Sequence, residues 1–135
     1  MRGLNDSVVI VTGAGGGIGT ATCKRFAQEG AKVAAWDINT TASKATAKAI
    51  NEAGGTARAF TCDITDFTAV KTAAKNTESG LGPISVLVNN AGWDVFRPFL
   101  KTDPELWEKI IAVNLRGVIH THYAILEGMV KNITD

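Results

Sequence analysis

Glycines crowd the first turn of this chain in a pattern that could bind a phosphate. Gly13, Gly17 and Gly19 follow directly after the apolar run 8–11. Glycine permits positive backbone dihedrals and has no side chain to block an approaching ligand. The N–H groups at the start of a helix point outward, and the helix dipole favours an anion there. A strand, a glycine turn and a helix in this order predict the pyrophosphate cradle of a dinucleotide-binding βαβ unit.

An acidic residue stands where such a unit would need one. Asp37 ends the next apolar run, 32–36, and lies 18 residues after Gly19. A carboxylate about 20 residues beyond the glycines accepts hydrogen bonds from the adenosine ribose in units of this kind. Flexible turns are also glycine-rich and Asp is common where a strand ends, so either feature alone could be structural. The two in register favour an adenine dinucleotide as the ligand.

The composition is that of a soluble globular protein of one domain. The chain has 135 residues, a net charge of +1 and 45% hydrophobic residues. No basic excess points to nucleic acid, and no apolar run approaches the roughly 20 residues that span a bilayer. The first strand follows too closely on Met1 for a signal peptide. Cys23 and Cys62 are isolated, which favours reduced thiols and a cytoplasmic location.

Strands and helices alternate along the sequence. The predicted strands cover 7–11, 32–36, 56–62 and 85–88, and the predicted helices cover 17–29, 40–53, 66–78 and 102 to about 131. Thr102, Pro104 and Glu105 predict the start of the last helix, with Thr102 as its cap. The alternation predicts an α/β fold with a parallel sheet covered on both faces. Right-handed crossovers give the strand order 3-2-1-4, the first half of a doubly wound, Rossmann-type sheet.

The last predicted helix is apolar on nearly all sides near its start. Its apolar residues there are Leu106, Trp107, Ile110, Ile111, Val113, Leu115, Val118 and Ile119. Such a helix is normally buried on more than one side. One side is expected to face the sheet, and the other to be covered by more of the same chain or by a partner subunit.

Four motifs in order resemble the short-chain dehydrogenase/reductase family. They are Thr12-Gly13-x-x-x-Gly17-x-Gly19, Asp63-Ile64, Asn89-Asn90-Ala91-Gly92 and Asn114. The stretches 25–31 and 89–94, with Pro98-Phe99, are similar to dehydrogenases that act on cyclic 2-hydroxyacyl-CoA thioesters. The resemblance implies an NAD-dependent oxidoreductase that moves a hydride between a secondary alcohol or ketone and NAD, with a hydroxyacyl-CoA thioester as one substrate class.

The resemblance also implies a role for each matching position. Gly13, Gly17, Ile18 and Gly19 would hold the pyrophosphate, Asp37 and Ile38 the adenosine ribose, Asp63 and Ile64 the adenine, and Asn90, Ala91, Gly92 and Val113 the rest of the cofactor. Asn114 would be a catalytic residue that anchors a water in the proton relay. From the helix alone, an Asn bonded to a backbone carbonyl is an equal alternative, because an unbonded amide in an apolar helix is costly.

The catalytic Ser and the Tyr-x-x-x-Lys pair of the family have no match. Tyr123 is the only tyrosine, and Glu127 stands where a Lys would lower its pKa. All four serines precede the expected position, and Asp135 ends the chain before the next strand. Residues 1–135 are therefore expected to form a single NAD-binding domain, the N-terminal half of such an enzyme, without turnover of its own. The alternative is a non-catalytic nucleotide-binding or subunit-interaction module.

Other polar and aromatic residues suggest less. His120 and His122 lie two apart on a helix and do not share a face, so no metal site is expected. Trp93, Phe96 and Phe99 follow the fourth strand at its carboxyl end, where they could line a substrate pocket or simply pack. The expected partners are a small alcohol or ketone and further copies of the chain, bound through the last helix.

Overall fold

A parallel four-stranded sheet lies at the centre of the molecule. In this computed structural model, which describes residues 3–134, the strands run in the order β3-β2-β1-β4. They are β1 (Val8–Thr12), β2 (Lys32–Asp37), β3 (Thr56–Thr61) and β4 (Ile84–Val88). The predicted order 3-2-1-4 is confirmed. Met1, from which the absence of a signal peptide was predicted, and Asp135 lie outside the described residues.

Helices cover both faces of this sheet. They are α1 (Gly17–Gln28), α2 (Thr40–Glu52), α3 (Phe67–Leu81), α4 (Pro104–Ile111) and α5 (Gly117–Thr134). Side chains alternate across β1, so that Val9 and Val11 pack with the buried residues of α1 and α2, while Val8 and Ile10 pack with those of α3 and α5. Because β1 is buried on both faces, its sequence is continuously apolar.

The prediction of one continuous last helix is wrong. A turn of π-helix, Ala112–Arg116, separates α4 from α5. Asn114 lies in this turn and its Nδ2 donates to the Ile110 carbonyl oxygen at 2.9 Å. A side-chain donor that takes up a helix carbonyl competes with the backbone ladder, which accounts for the wider turn at this position. Such π-bulges are often found at functional sites.

The predicted cap of this helix is also wrong by one residue. Asp103 caps α4 by accepting a hydrogen bond from the Leu106 N–H. The Thr102 hydroxyl instead donates to the Phe99 carbonyl and accepts from Trp107 Nε1 at 2.7 Å. Thr102 thereby closes the short 3₁₀ turn Phe99–Lys101 and leaves the cap to its neighbour.

An apolar stripe runs along the outer side of α4 and α5. Its members, spaced three or four residues apart, are exposed: Trp107, Ile111, Leu115, Ile119, Tyr123, Leu126 and Val130. The opposite side faces the molecule, where Ile125 joins the core. The sequence predicted these two different sides. Within residues 3–134, no helix has both the length and the apolar character needed to cross a lipid bilayer.

Candidate functional site

A cleft of about 580 Å³ opens where the four strands end. The carboxyl ends of the strands in an open parallel sheet are where such folds bind ligands. All of the residues predicted to hold a cofactor line this one cleft: Gly13, Gly17, Ile18, Gly19, Asp37, Ile38, Asp63, Ile64, Asn90, Ala91, Gly92 and Val113. Positions distant in sequence are thus brought to a single surface.

The glycine turn that begins the cleft is shaped by close backbone contacts. Gly13 has φ +65, and a Cβ there would lie 2.9 Å from the Ala91 Cα. A Cβ at Gly19 would overlap the Gly13 carbonyl oxygen. At Gly17, by contrast, an added Cβ would meet nothing within 4 Å. Gly13 and Gly19 are therefore needed for the turn itself, and Gly17 leaves open space at the start of α1.

The loop after β4 is fastened to this turn by a small hydrogen-bond network. The Thr12 hydroxyl accepts from the N–H groups of Asn90 and Ala91, each at 3.0 Å. Asn90 Nδ2 donates to the carbonyl oxygens of Thr12 at 2.9 Å and Gly13 at 3.2 Å. Asn90 consequently joins two walls of the cleft, and its side-chain amide is occupied in doing so.

Asp37 stands at the end of β2 with both carboxylate oxygens bonded. Oδ2 accepts from the Gly15 N–H at 2.8 Å, and Oδ1 accepts from the Asn39 N–H at 2.8 Å. Beside it, Ile38 is 67% exposed, and Ile18 across the turn is 77% exposed. Two uncovered apolar side chains therefore stand at the cleft together with one fixed negative charge.

The turn 63–65 forms a further wall. Asp63 Oδ1 accepts from the Thr65 N–H at 2.9 Å and from the Thr65 hydroxyl at 2.7 Å. Ile64 is buried. The Asp63 carboxylate is thus used to close its own turn, and this fixes the shape of the wall.

Asn114, the predicted catalytic residue, is not among the residues that line the cleft. Its side chain forms two hydrogen bonds with the backbone of Trp93, and Trp93 lines the cleft. Oδ1 accepts from the Trp93 N–H at 3.1 Å, and Nδ2 donates to the Trp93 carbonyl at 2.7 Å. With the bond to Ile110, both hydrogens of the amide nitrogen are used within the protein, and the oxygen accepts one bond and has a second lone pair. The bonds to backbone groups are those of the structural alternative, and the catalytic role of Asn114 stays a prediction.

Sequence reasoning missed several residues of the cleft: Gly16, Cys62, Thr65 and Lys109. The Lys109 Nζ lies 3.8 Å from the centroid of the Trp93 ring, a cation–π contact. Lys109 is one helical turn before Val113, so the i, i+4 spacing could have found it. Trp93 lines the cleft, whereas Phe96 and Phe99 do not, and Phe99 stacks on Trp107 instead.

Both cysteines are buried free thiols. Burial, with a smaller contribution from the charges of Asp63 and Asp66, raises the pKa of the Cys62 thiol to about 12. Burial raises the pKa of Cys23 likewise to about 12. Although Cys62 lines the cleft, its sulfur is therefore a neutral thiol and a poor nucleophile near neutral pH.

The sequence of this chain matches that of a known protein family. A family model described as short chain dehydrogenase matches residues 7–134. The chain belongs to the short-chain dehydrogenase/reductase family. The human epidermal retinol dehydrogenase 2 is 36% identical to it over 132 residues, which are 97% of this chain and 43% of that protein.

Two solved structures superpose closely on the fold. A hydroxysteroid dehydrogenase from Escherichia coli has a TM-score of 0.91 and 34% identity, over 96% of this chain and 55% of that one. A candidate D-mannonate oxidoreductase from Haemophilus influenza, with NAD bound, has a TM-score of 0.88 and 25% identity, over 93% and 51%. The chain thus spans about half the length of the family members that it matches.

Each of the two histidines lies within hydrogen-bond distance of a backbone carbonyl oxygen. His120 Nδ1 lies 2.8 Å from the Ile64 oxygen, and His122 Nδ1 lies 2.8 Å from the Val118 oxygen. Across residues 3–134, no group of three His, Cys, Asp or Glu side chains is placed to hold a metal ion.

Proposed function

We propose that this chain binds NAD in the cleft and forms the cofactor-binding half of an NAD-dependent dehydrogenase. The observation that carries the proposal is the convergence of all the predicted cofactor residues on one surface at the ends of the strands. Membership of an oxidoreductase family supports it, and so does the NAD bound in a neighbour of the same fold.

The start of α1 fits a pyrophosphate. The side chains of Asn39, Asp66 and Asp103 cap α2, α3 and α4. The cap position of α1 is Gly16, so α1 has no side-chain cap, and its first turn has no acidic residue. The N–H groups of an uncapped helix start favour an anion. The open space at Gly17 leaves room for one.

The end of β2 fits the ribose of NAD better than that of NADP. The Asp37 carboxylate is fixed by Gly15 and Asn39, and an ionised carboxylate accepts hydrogen bonds from hydroxyl groups. Among the described residues that line the cleft, the one cation is Lys109, which lies over Trp93. A 2′-phosphate beside Asp37 would therefore meet a negative charge without a neighbouring cation in the lining.

When bound, NAD supplies the acceptor or donor of a hydride for a secondary alcohol or ketone. The residues of this chain bind NAD and orient it in the cleft. Asn114 holds the Trp93 backbone at the cleft, and we infer that any part it has in a proton relay depends on this placement. The motif similarity described above makes a hydroxyacyl-CoA thioester the substrate class to test first.

Assembly and location complete the proposal. We infer a homo-oligomer joined through the apolar stripe of α4 and α5, because exposed apolar surfaces of this size usually recruit a partner. The two buried free thiols support a reducing, cytoplasmic setting.

Gly17 offers the sharpest test of NAD binding. The Gly17→Glu substitution places a carboxylate in open space at the first turn of α1, a position that favours helix stability. It should weaken NAD binding measured by calorimetry by at least about tenfold, because it opposes the pyrophosphate charge. Ala21→Glu, on the exposed side of the same helix, is the matched control. Absence of NAD binding to the unmodified chain, or equal affinities in Gly17→Glu and the control, would contradict the proposal.

A further inference from the structure

One wall of the cleft is joined directly to helix α5. His120 Nδ1 lies 2.8 Å from the carbonyl oxygen of Ile64, although 56 positions separate the two residues. A carbonyl oxygen can only accept a hydrogen bond, so Nδ1 carries the hydrogen. Ile64 lines the cleft and His120 does not. The bond therefore connects the turn 63–65 with a residue outside the cleft.

The backbone of α5 also approaches this wall closely. A Cβ at Gly117 would lie 2.5 Å from Ile64 Cδ1. Gly117 is buried at the first position of α5, about one turn before His120. A glycine inside a helical segment is less favourable than alanine, and the contact with Ile64 explains why it is tolerated here. Two residues of α5 thus contact Ile64. Gly117 packs against the Ile64 side chain, and His120 bonds to the Ile64 carbonyl oxygen.

The orientation of the His120 ring is set by packing. Its centroid lies 5.3 Å from that of Phe67, the first residue of α3, with the planes tilted by 42°. The bonds of Asp63 to Thr65 are internal to the turn. They fix its shape, whereas His120 fixes its position relative to α5.

We propose that His120 is a positioning residue for the nucleotide cleft, acting through its Nδ1–H bond to the Ile64 carbonyl. The bond holds the turn 63–65 where it contacts the adenine end of a bound dinucleotide. This inference rests on the proposed NAD binding and adds to it a residue that neither touches the nucleotide nor belongs to the motifs. If the bond from His120 is lost, the turn 63–65 can shift. The shift should weaken binding of adenine nucleotides and leave binding of the nicotinamide part unchanged.

The test compares two fragments of the dinucleotide on the full 135-residue chain. AMP and nicotinamide mononucleotide are titrated calorimetrically into the unmodified protein, His120→Phe, which keeps a ring but no donor, and His120→Asn, whose Nδ2 can replace Nδ1. One lost hydrogen bond between neutral groups corresponds to about three- to tenfold in affinity. His120→Phe should lose that much affinity for AMP and none for nicotinamide mononucleotide, and His120→Asn should regain most of it.

His122→Phe is the matched control, because His122 bonds only within its own helix turn to Val118 and with Asn89 at 3.5 Å, and is exposed. It should bind AMP as the unmodified chain does. Nitrogen-15 spectra should show the Nδ1–H tautomer for His120. Unchanged AMP affinity in His120→Phe, or an equal loss for both fragments, would overturn the positioning role alone. Failure of the unmodified chain to bind either AMP or NAD would overturn the proposed function and this inference with it.

Discussion

The Asp37 carboxylate accepts a hydrogen bond from the Gly15 N–H at 2.8 Å and thereby ties the end of β2 to the glycine turn after β1. Its other oxygen accepts from Asn39, the cap of α2. A Cβ at Gly15 would overlap the Ala42 Cβ, so glycine is needed for the turn to lie against α2. The acidic residue and the glycine turn, separate in the sequence, are therefore one structural unit.

This unit predicts a preference for NAD over NADP. Two unit charges about 4 Å apart at an effective dielectric constant near 20 repel by about 4 kcal/mol, an upper value for an open site. We expect NAD to bind about a hundredfold more tightly than NADP. Asp37→Asn keeps an oxygen for Gly15 but removes the charge, so it should abolish most of the difference. Calorimetry with both nucleotides measures this, with the exposed Asp94→Asn as control, and equal affinities in the unmodified chain would contradict it.

Removal of the Asn114 side chain should loosen the Trp93 segment. Asn114→Ala deletes the bonds to the Trp93 N–H, the Trp93 carbonyl and the Ile110 carbonyl. We expect the free energy of unfolding to fall by roughly 1–2 kcal/mol, with a change in Trp93 fluorescence and faster amide exchange at Trp93. Asn76→Ala, at an exposed position of α3, should change neither. A tryptophan signal and stability equal to those of the control would show that the bonds to Trp93 contribute nothing.

The sheet could be predicted from the sequence because the apolar pattern of each strand agrees with the alternation of strands and helices along the chain. The continuously apolar β1 is buried on both faces, and the glycine turn and Asp37 stand at the spacing that a dinucleotide-binding motif encodes. The π-turn was not predictable in this way. It depends on the bond from Asn114 Nδ2 to the Ile110 carbonyl oxygen, and helical periodicity does not report whether an Asn side chain makes such a bond.

The sequence also could not show which of two neighbouring residues with similar side chains takes a given structural role. Thr102 and Asp103 are both good cap residues, and only the contacts of Thr102 with Phe99 and Trp107 decide that Asp103 caps α4. Lys109 could have been found from its i, i+4 spacing to Val113, but its contact with Trp93 is visible only in the packed structure. Motif residues are thus predictable from type and spacing, and the residues that support them require the packed structure.

The buried thiols predict a loss of stability at high pH. The pKa values of Cys23 and Cys62 are raised from 9.0 to about 12, so the folded chain holds these protons more tightly than the unfolded chain. The stabilisation is complete below about pH 9 and is lost as the pH rises toward 12. Urea unfolding at pH 8 and pH 10.5 should show a smaller decrease in the Cys23→Ala, Cys62→Ala double variant than in the unmodified chain. An equal decrease would show that other groups control the alkaline behaviour.

The same burial predicts slow thiol chemistry. Ellman's reagent at pH 8 should react slowly with the folded chain and rapidly with both thiols in denaturant, because the thiolate is the reactive form. Rapid reaction of one thiol in the folded chain would contradict the burial of that site.

The 135 residues should not turn over alcohols or ketones. Tyr123 is 76% exposed on the apolar stripe, and Glu127 beside it is paired with Lys131 at 2.6 Å, which holds the pKa of Glu127 below its ordinary value. Glu127 therefore does not supply the positive charge that a lysine at this position would give to a catalytic tyrosine. Absorbance at the NADH band should stay constant with secondary alcohols or a hydroxyacyl-CoA thioester, and Tyr123→Phe should behave identically. NAD reduction that persists through purification and disappears in Asn114→Ala would contradict this.

The apolar stripe and the free edge of β4 predict association of the chain. Within residues 3–134, β4 pairs only with β1, and its other side is an unpaired edge, a template for strand pairing. Trp107 and Ile111 are 41% and 42% exposed and Leu115 is 56% exposed, whereas Val118, expected beside them, is half-buried. Light scattering at micromolar concentration should show oligomers or aggregates.

Two charge variants, one in the stripe and one at the edge, distinguish which of these surfaces causes the association. Leu115→Glu with Ile119→Glu should shift the chain toward the monomer, because burying a carboxylate in an apolar contact is costly. Ser85→Lys, at an exposed position of β4, should act only if strand pairing contributes. Lys75→Glu on the exposed side of α3 is the control for charge alone. A monomeric, cooperatively folding unmodified chain would show that neither surface drives assembly, and the proposal of a homo-oligomer joined through α4 and α5 would fail.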